Sequence, residues 1–369
     1  MPEGLVFGWR TALLSVAFAI AVTIAFALLR PLRNRVANRV LAALLVVLAG
    51  IITPWMIGFA GLYDRWPWLT FAPFAITLAV APLFHLYVVA LTTGRLAPYA
   101  RLMLTPALLQ FAYLAVCFLL PLPVKWAWEE ASSLSYALVT NTGIIAGFAG
   151  YGHASFRRLG SYRKWLAGEQ SDEHRFALRW LSRALSAICI LLPVWAAYII
   201  ADMFDPLGYR GLMGLYVAIA AFAIFLAIEG WRHADLGFPH IESPTPISVA
   251  PAERDWQAQA AVWAAAVREH GWHNDPELGI SQLARLIGTN KSHLSRALNQ
   301  GLGENFAVFI NRLRSEDVAR ALRDGRQDDL LDLALDAGFN SKATFNRAFA
   351  RAFGMSPSDY RRVHASKQK

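Results

Sequence analysis

Cysteine is nearly absent from this chain. Cys117 and Cys189 are the only two in 369 residues, and both fall inside apolar runs. That count and spacing exclude a disulfide framework and a cysteine-based metal site. Charge is scarce as well. Asp, Glu, Lys and Arg make up 17% of the residues, against about 25% in an average soluble domain. Hydrophobic residues fill the difference, at 56%. The apolar part also lacks catalytic chemistry. Its runs hold no paired carboxylates, no His-x-x-His and no nucleophile–base set, so neither an enzyme nor a metal or cofactor is expected. The last apolar run, "GLMGLYVAIAAFAIFLAIEG", contains no lysine, which excludes a retinal-type Schiff base.

What the chain does have is apolar length. A helix needs about 20 apolar residues to cross a bilayer. Seven stretches meet that need, roughly residues 8–30, 38–60, 68–91, 99–120, 132–153, 178–200 and 211–231. Lys and Arg collect in the cytoplasmic loops of membrane proteins. Loops one, three and five hold 12 of them: Arg30, Arg33, Arg35, Arg39, Arg95, Arg101, Arg157, Arg158, Arg163, Lys164, Arg175 and Arg179. The other three loops hold only Arg65, Lys125 and Arg210. The alternation predicts seven spans, with the N-terminus outside and the C-terminus in the cytoplasm. Glu3 precedes the first run and the arginines follow it, which is the reverse of a cleavable signal. Trp55, Tyr63, Trp66, Trp68, Trp126 and Trp128 mark the outer boundary, where aromatic side chains favour the interface.

Polar groups inside spans are costly unless paired, which makes them candidates for function. His85, Gln110, Asn141 and Asp202 are the main ones. His85, Asn141 and Asp202 are taken as a candidate ligand or packing site. Asn141 lies beside Gly143 and Gly147, a spacing that lets helices approach closely. Pro54, Pro73, Pro82, Pro106 and Pro193 fall within the runs and are expected to kink them.

The composition changes after Trp231. Residues 233–254 contain four prolines and read as a solvated linker of roughly 25 Å as a coil. Helical periodicity resumes at Trp256. Residues 252–369 carry 17 Lys and Arg against 14 Asp and Glu. Within "LARLIGTNKSHLSRAL", 283–298, Leu283, Ile287, Leu294 and Ala297 form an inner face, Ala284 is small at a crossing and Gly288 permits a turn. The second helix of the pair exposes Lys291, Ser292, His293, Ser295, Arg296 and Asn299. Such side chains pair with phosphates and read base edges. The pattern repeats at 333–349, "LALDAGFNSKATFNRAF", with Gly338 fifty residues after Gly288 and one extra residue before the apolar anchor. Its exposed set is Asn340, Lys342, Thr344, Asn346, Arg347 and Arg351. One long helix, with Phe306, Phe309, Ile310 and Leu313 on a single face, is expected to join the copies.

Residues 255–364 resemble the DNA-binding domain of the AraC/XylS family of bacterial transcription regulators. The resemblance is carried by the paired helix-turn-helix copies and by "ALDAGFNSKATFNRAFARAFGMSPSDYRR", with Phe345, Phe349, Phe353, Gly354, Pro357, Tyr360 and Arg361. It implies that both recognition helices enter successive major-groove segments. Lys291, Ser292, Ser295 and Arg296 would read the first segment, and Lys342, Thr344, Asn346 and Arg347 the second. The family's usual soluble effector domain is replaced here by the apolar runs, so its effector and its mode of dimerisation do not carry over.

The expected architecture is therefore all-α. A seven-transmembrane-helix bundle at 1–232 and a Pro-rich linker at 233–254 precede a helical domain with two helix-turn-helix units at 255–369. The expected function is a transcription regulator held in a bacterial inner membrane. Its partners would be double-stranded DNA and the lipid bilayer, with RNA polymerase and a second copy of the chain as further candidates. The spans would sense an unidentified small molecule or membrane signal. Two other readings are a membrane transporter or enzyme with an autoregulatory DNA-binding domain, and spans that only tether.

Overall fold

The computed structural model describes residues 5–30, 33–169, 176–204, 207–241 and 255–365. Every regular element among them is a helix. The chain divides into two compact units, Met1–Gly160 with Leu178–Ile241, and Ser161–Ala177 with Glu242–Lys369.

The first unit is built around α2 (Arg35–Phe59), which packs against α1 (Trp9–Ala27), α3 (Val80–Thr93) and α7 (Met213–Arg232). Close packing follows from small residues. A side chain at Gly230 would collide with Leu41, and one at Gly50 with the Phe74 carbonyl. The residues of α3 from Val80 to Thr92 are all buried. By contrast α4 (Thr105–Phe118), α5 (Leu122–Glu169) and α6 (Arg179–Phe204) turn large apolar side chains outward, among them Leu108, Leu109, Val116, Leu134, Val139 and Ile190.

Four of these helices are long and apolar enough to cross a membrane: Trp9–Ala27, Arg35–Phe59, Arg179–Asp202 and Met213–Arg232. The other three expected spans take different forms. The third breaks at its start. Pro67 and Pro73 flank a series of tight turns in which Phe71 takes a positive φ of 64°, and the helix runs only from Thr77 to Thr93. Buried Lys125 holds this stretch, donating from Nζ to the Trp68 carbonyl at 2.8 Å. The fourth is cut to Thr105–Phe118. The fifth lies inside α5, which is 48 residues long and continues as helix into the expected fifth loop.

The prolines explain part of this. Of the five prolines in the apolar runs, Pro54 and Pro193 sit in helix interiors. Pro82 and Pro106 occupy the first turns of α3 and α4, where backbone N–H groups have no intrahelical acceptor to lose.

Residues 233–241, expected within the linker, pack onto the first unit. Asn34 donates to the carbonyls of Ala234 and Leu236, Asn38 donates to that of Ala234, and the Ile241 amide donates to Thr92. The rest of the expected linker lies outside the described residues, as do Arg175 and Asp205.

In the second unit, α8 (Trp256–Glu269), α9 (Ile280–Ile287) and α10 (Lys291–Arg296) precede the long α11 (Phe306–Arg323). Helices α12 (Leu330–Asp336), α13 (Lys342–Phe353) and α14 (Pro357–Ala365) follow it. Among its described residues are two cores, and α11 serves both. Phe306, Phe309, Ile310 and Leu313 join Leu283, Leu294 and Leu298 in the first. Val318, Ala319 and Leu322 join Leu333, Phe339, Phe345 and Phe349 in the second. Tyr360 of α14 closes the second core edge-on to Phe349, with ring centroids 5.3 Å apart.

Candidate nucleic-acid interface

Helices α9 and α10 form the first helix-turn-helix copy, and α12 and α13 the second. Their turns have the same backbone chemistry. Gly288 and Gly338 take positive φ angles of 79° and 92°. The amide after each glycine donates five residues back, Thr289 to Ala284 at 2.8 Å and Phe339 to Ala334 at 2.9 Å. The glycine amides donate to Arg285 and Leu335 at 3.1 and 2.9 Å. This pair of bonds is the Schellman helix ending, which needs a left-handed residue at the turn. The next helices start on side-chain caps. Asn290 Oδ1 accepts from the His293 amide at 2.8 Å, and Ser341 Oγ accepts from the Thr344 amide at 3.2 Å. The caps are 51 residues apart and the glycines 50, so the extra residue of the second copy lies in its turn.

A separate joint fixes the copies to each other. Arg314 of α11 is 1% exposed. It donates to the carbonyls of His273 and Asp275 at 2.6 and 2.7 Å, and its guanidinium lies 5.8 Å from the Phe339 ring. Asn340 of the second copy donates to the Pro276 carbonyl at 2.8 Å. Gly338 lies so close to the Asn274 backbone that an added Cβ would stand 2.6 Å from its carbonyl oxygen. His273 Nε2 pairs with Asp317 Oδ2 at 2.7 Å. Burial pushes the Asp317 carboxyl up, but His273 and Arg320 outweigh it and hold it below its ordinary range. Glu316 is likewise held low against burial, by Arg268 and Arg312.

The sequence-predicted residues fall into three settings. Ser292, Asn299, Lys342, Asn346, Arg347 and Arg351 are exposed. Lys291, His293, Ser295 and Arg296 are half-buried. The Arg296 guanidinium stands 5.7 Å from the Trp256 ring, which His293 also flanks at 6.0 Å. Asn299 donates to the Ser295 carbonyl at 2.8 Å. Thr344 differs from expectation. It is 7% exposed and its hydroxyl accepts from Ser341 Oγ at 3.0 Å. Its place in the first turn of α13 turns it toward the cap, so it is not an exposed reading side chain. Tyr360 and Arg361 belong to the fold, since Tyr360 fills the second core and Arg361 donates to the Asp328 carbonyl. Sequence reasoning missed the joint. The one signal pointing to it was an arginine, Arg314, next to the apolar face of α11.

In the first unit each expected polar residue has its own setting. His85 is buried with Nδ1 2.9 Å from Ser155 Oγ. The Ser155 hydroxyl donates to the Tyr151 carbonyl at 2.7 Å, so it meets His85 as an acceptor. Asn141 is half-buried on α5, the helix whose Gly143 and Gly147 face Leu78 and Ala81. Asp202 accepts the Leu207 amide at 2.8 Å. Gln110 is fully used: its Nε2 donates to Thr77 and Tyr136, and its Oε1 accepts from the Leu78 amide.

The family described as helix-turn-helix domain matches residues 283–363. Over 89 residues the chain is 34% identical to an uncharacterised HTH-type transcriptional regulator of Staphylococcus aureus (strain MSSA476), covering 24% of this chain and 12% of that protein. Over 90 residues it is 36% identical to the right origin-binding protein of Escherichia coli (strain K12), covering 24% of this chain and 31% of that protein. A solved structure, the C-terminal domain of AraT, a response regulator from Geobacillus stearothermophilus, aligns with 30% of this chain and 88% of its own at 24% identity, with a TM-score of 0.26. The chain thus spans about an eighth of the staphylococcal relatives it matches.

Proposed function

We propose that this chain is a membrane-held regulator of transcription that binds promoter DNA through both helix-turn-helix copies. The observation that carries this reading is the duplicated turn. Two recognition helices start from equivalent glycine turns, expose Lys, Arg, Ser and Asn, and are set on one helix by a buried arginine. A rigid pair of such helices suits successive major-groove segments. Ser292, Asn299, Lys342, Asn346 and Arg347 are the side chains best placed to meet bases and phosphates, with Lys291, Ser295 and Arg296 beside them. The relatives' names, a transcriptional regulator and an origin-binding protein, agree with this reading.

Membrane anchoring is supported by the four long apolar helices, the outward apolar side chains of α4, α5 and α6, and the 12-to-3 distribution of basic residues between alternate loops. The topology proposed is seven spans, with the N-terminus outside and the second unit in the cytoplasm. The spans would sense a signal that the DNA-binding unit reports.

The test is genome-wide crosslinking of the full chain to chromatin in its host, alongside a Lys342→Ala/Arg347→Ala variant. Sharp peaks that vanish in the variant are expected. Absent peaks, or peaks indifferent to the substitutions, would refute the reading. Reporter fusions after residues 94 and 160 should report a cytoplasmic location, and fusions after 66 and 121 an external one.

A further inference from the structure

The second unit contains one segment from far earlier in the chain, Ser161–Ala177, and it lies against the helices proposed to read DNA. Glu169 Oε2 stands 3.0 Å from Lys291 Nζ, with the side chains 17% and 26% exposed. The same ammonium lies 5.4 Å from the Trp165 ring centroid. Lys291 is the first residue of α10, and the N-terminal residues of a recognition helix are the ones that meet DNA. Ala167, between Trp165 and Glu169, lines a groove of about 510 Å³ with Arg347 and Arg351 of α13 and Glu304 and Arg312. A five-residue stretch thus touches the first recognition helix and edges the arginines of the second.

We infer that Trp165–Glu169 is an autoinhibitory cover, which occupies the DNA-facing surface and competes with duplex DNA for it. This rests on the proposed function, since it requires that surface to bind DNA. The chemistry is competitive. A carboxylate on the Lys291 ammonium takes the place of a phosphate oxygen, and the indole face adds a cation–π contact. The ammonium cannot serve Glu169 and a DNA phosphate with the same N–H groups. A duplex entering at α10 and α13 would also need the volume that the segment fills. Both contacts are individually weak, so the cover is reversible. The segment is the last turns of α5, which begins at Leu122. Fraying or moving the end of that helix would release Lys291.

The test uses the full chain in detergent micelles and a fluorescein-labelled duplex of mixed sequence at low salt. Trp165→Ala/Glu169→Gln is expected to bind the duplex roughly 5- to 20-fold more tightly than the wild type. Unchanged or weaker binding overturns the inference. Lys342→Ala/Arg347→Ala separates the two levels. If this variant binds as well as the wild type, the DNA-binding reading fails and the cover fails with it. If it loses binding while Trp165→Ala/Glu169→Gln gains none, the cover alone is wrong. A second measurement covers the case in which Trp165→Ala impairs folding. Gly168 has open space where a Cβ would stand, so Gly168→Cys, in a Cys117→Ala/Cys189→Ala chain, is tolerated sterically. Its labelling by a maleimide should speed up when duplex is added. A rate indifferent to DNA overturns the competition.

Discussion

The two helix-turn-helix copies share one backbone design and differ in their surroundings. In the first copy, Lys291 is engaged by Glu169 and Trp165, and Arg296 and His293 rest on Trp256. In the second, Lys342, Asn346 and Arg347 stand exposed. The cores differ too. The first is largely aliphatic with Phe306 and Phe309, while the second is a run of aromatic rings, Phe339, Phe345, Phe349 and Tyr360. The comparison teaches that repetition of a motif fixes the turn and the helix directions. What a recognition side chain is free to touch depends on elements outside the repeat.

The largest expected effect breaks the second copy. Phe349 is 0% exposed and contacts the rings of Phe345, Phe353 and Tyr360. Phe349→Ala should cost about 3–5 kcal/mol, measured as a lowered unfolding midpoint. Hydrogen exchange should show α12–α14 opening before α9 and α10.

The turn glycines come next, because they are equivalent in backbone and unequal in space. An added Cβ at Gly288 meets nothing within 4 Å, whereas at Gly338 it meets the Asn274 backbone. Gly288→Ala should cost about 1 kcal/mol from the left-handed φ alone. Gly338→Ala should cost about 2–4 kcal/mol, since backbone must also move. Equal losses in chemical denaturation would show that the joint between the copies yields easily.

DNA affinity sharpens the contrast in surroundings. Arg347→Ala should weaken duplex binding by about 10- to 100-fold. Lys291→Ala should change it by less than about 3-fold. It removes a proposed DNA contact and the anchor of the proposed cover together, and these act in opposite directions. Titrations of both variants at one salt concentration decide the point.

The smallest effect is that of acid on the joint. Asp317 and Glu316 titrate below their ordinary range in the folded state. A carboxyl depressed by folding contributes stability above its unfolded pKa and loses it as pH falls through the folded one. The unfolding midpoint should therefore be level above about pH 5 and decline below about pH 4. Asp317→Asn should flatten the decline.

Much of the candidate interface could be read from residue order because its determinants are local. Gly288 and Gly338 announce the turns, Asn290 and Ser341 the caps, and the spaced phenylalanines the buried face of α13. Thr344 escaped, because a threonine three residues into a helix looks equally polar whether it faces solvent or its own cap. The spans were less secure. Apolar length marked seven runs, but Pro67, Pro73 and Pro106 shorten two of them as helices. The fifth run gave no hint of the 48-residue helix around it, since nothing polar after residue 153 breaks helical propensity.

By itself the sequence determined that this protein is helical, that its apolar and charged parts are segregated, and that a glycine-punctuated motif occurs twice. These follow from periodicity and from the conformations single residues allow, which need no distant partner. Only the tertiary structure decided how the copies are joined, and which segment lies on Lys291. The grip of Arg314 on 273–275 spans about forty residues, and that of Glu169 on Lys291 more than a hundred. Contacts between residues so far apart in the chain leave no mark on local pattern, because any arginine or glutamate would look the same there until the chain closes around it.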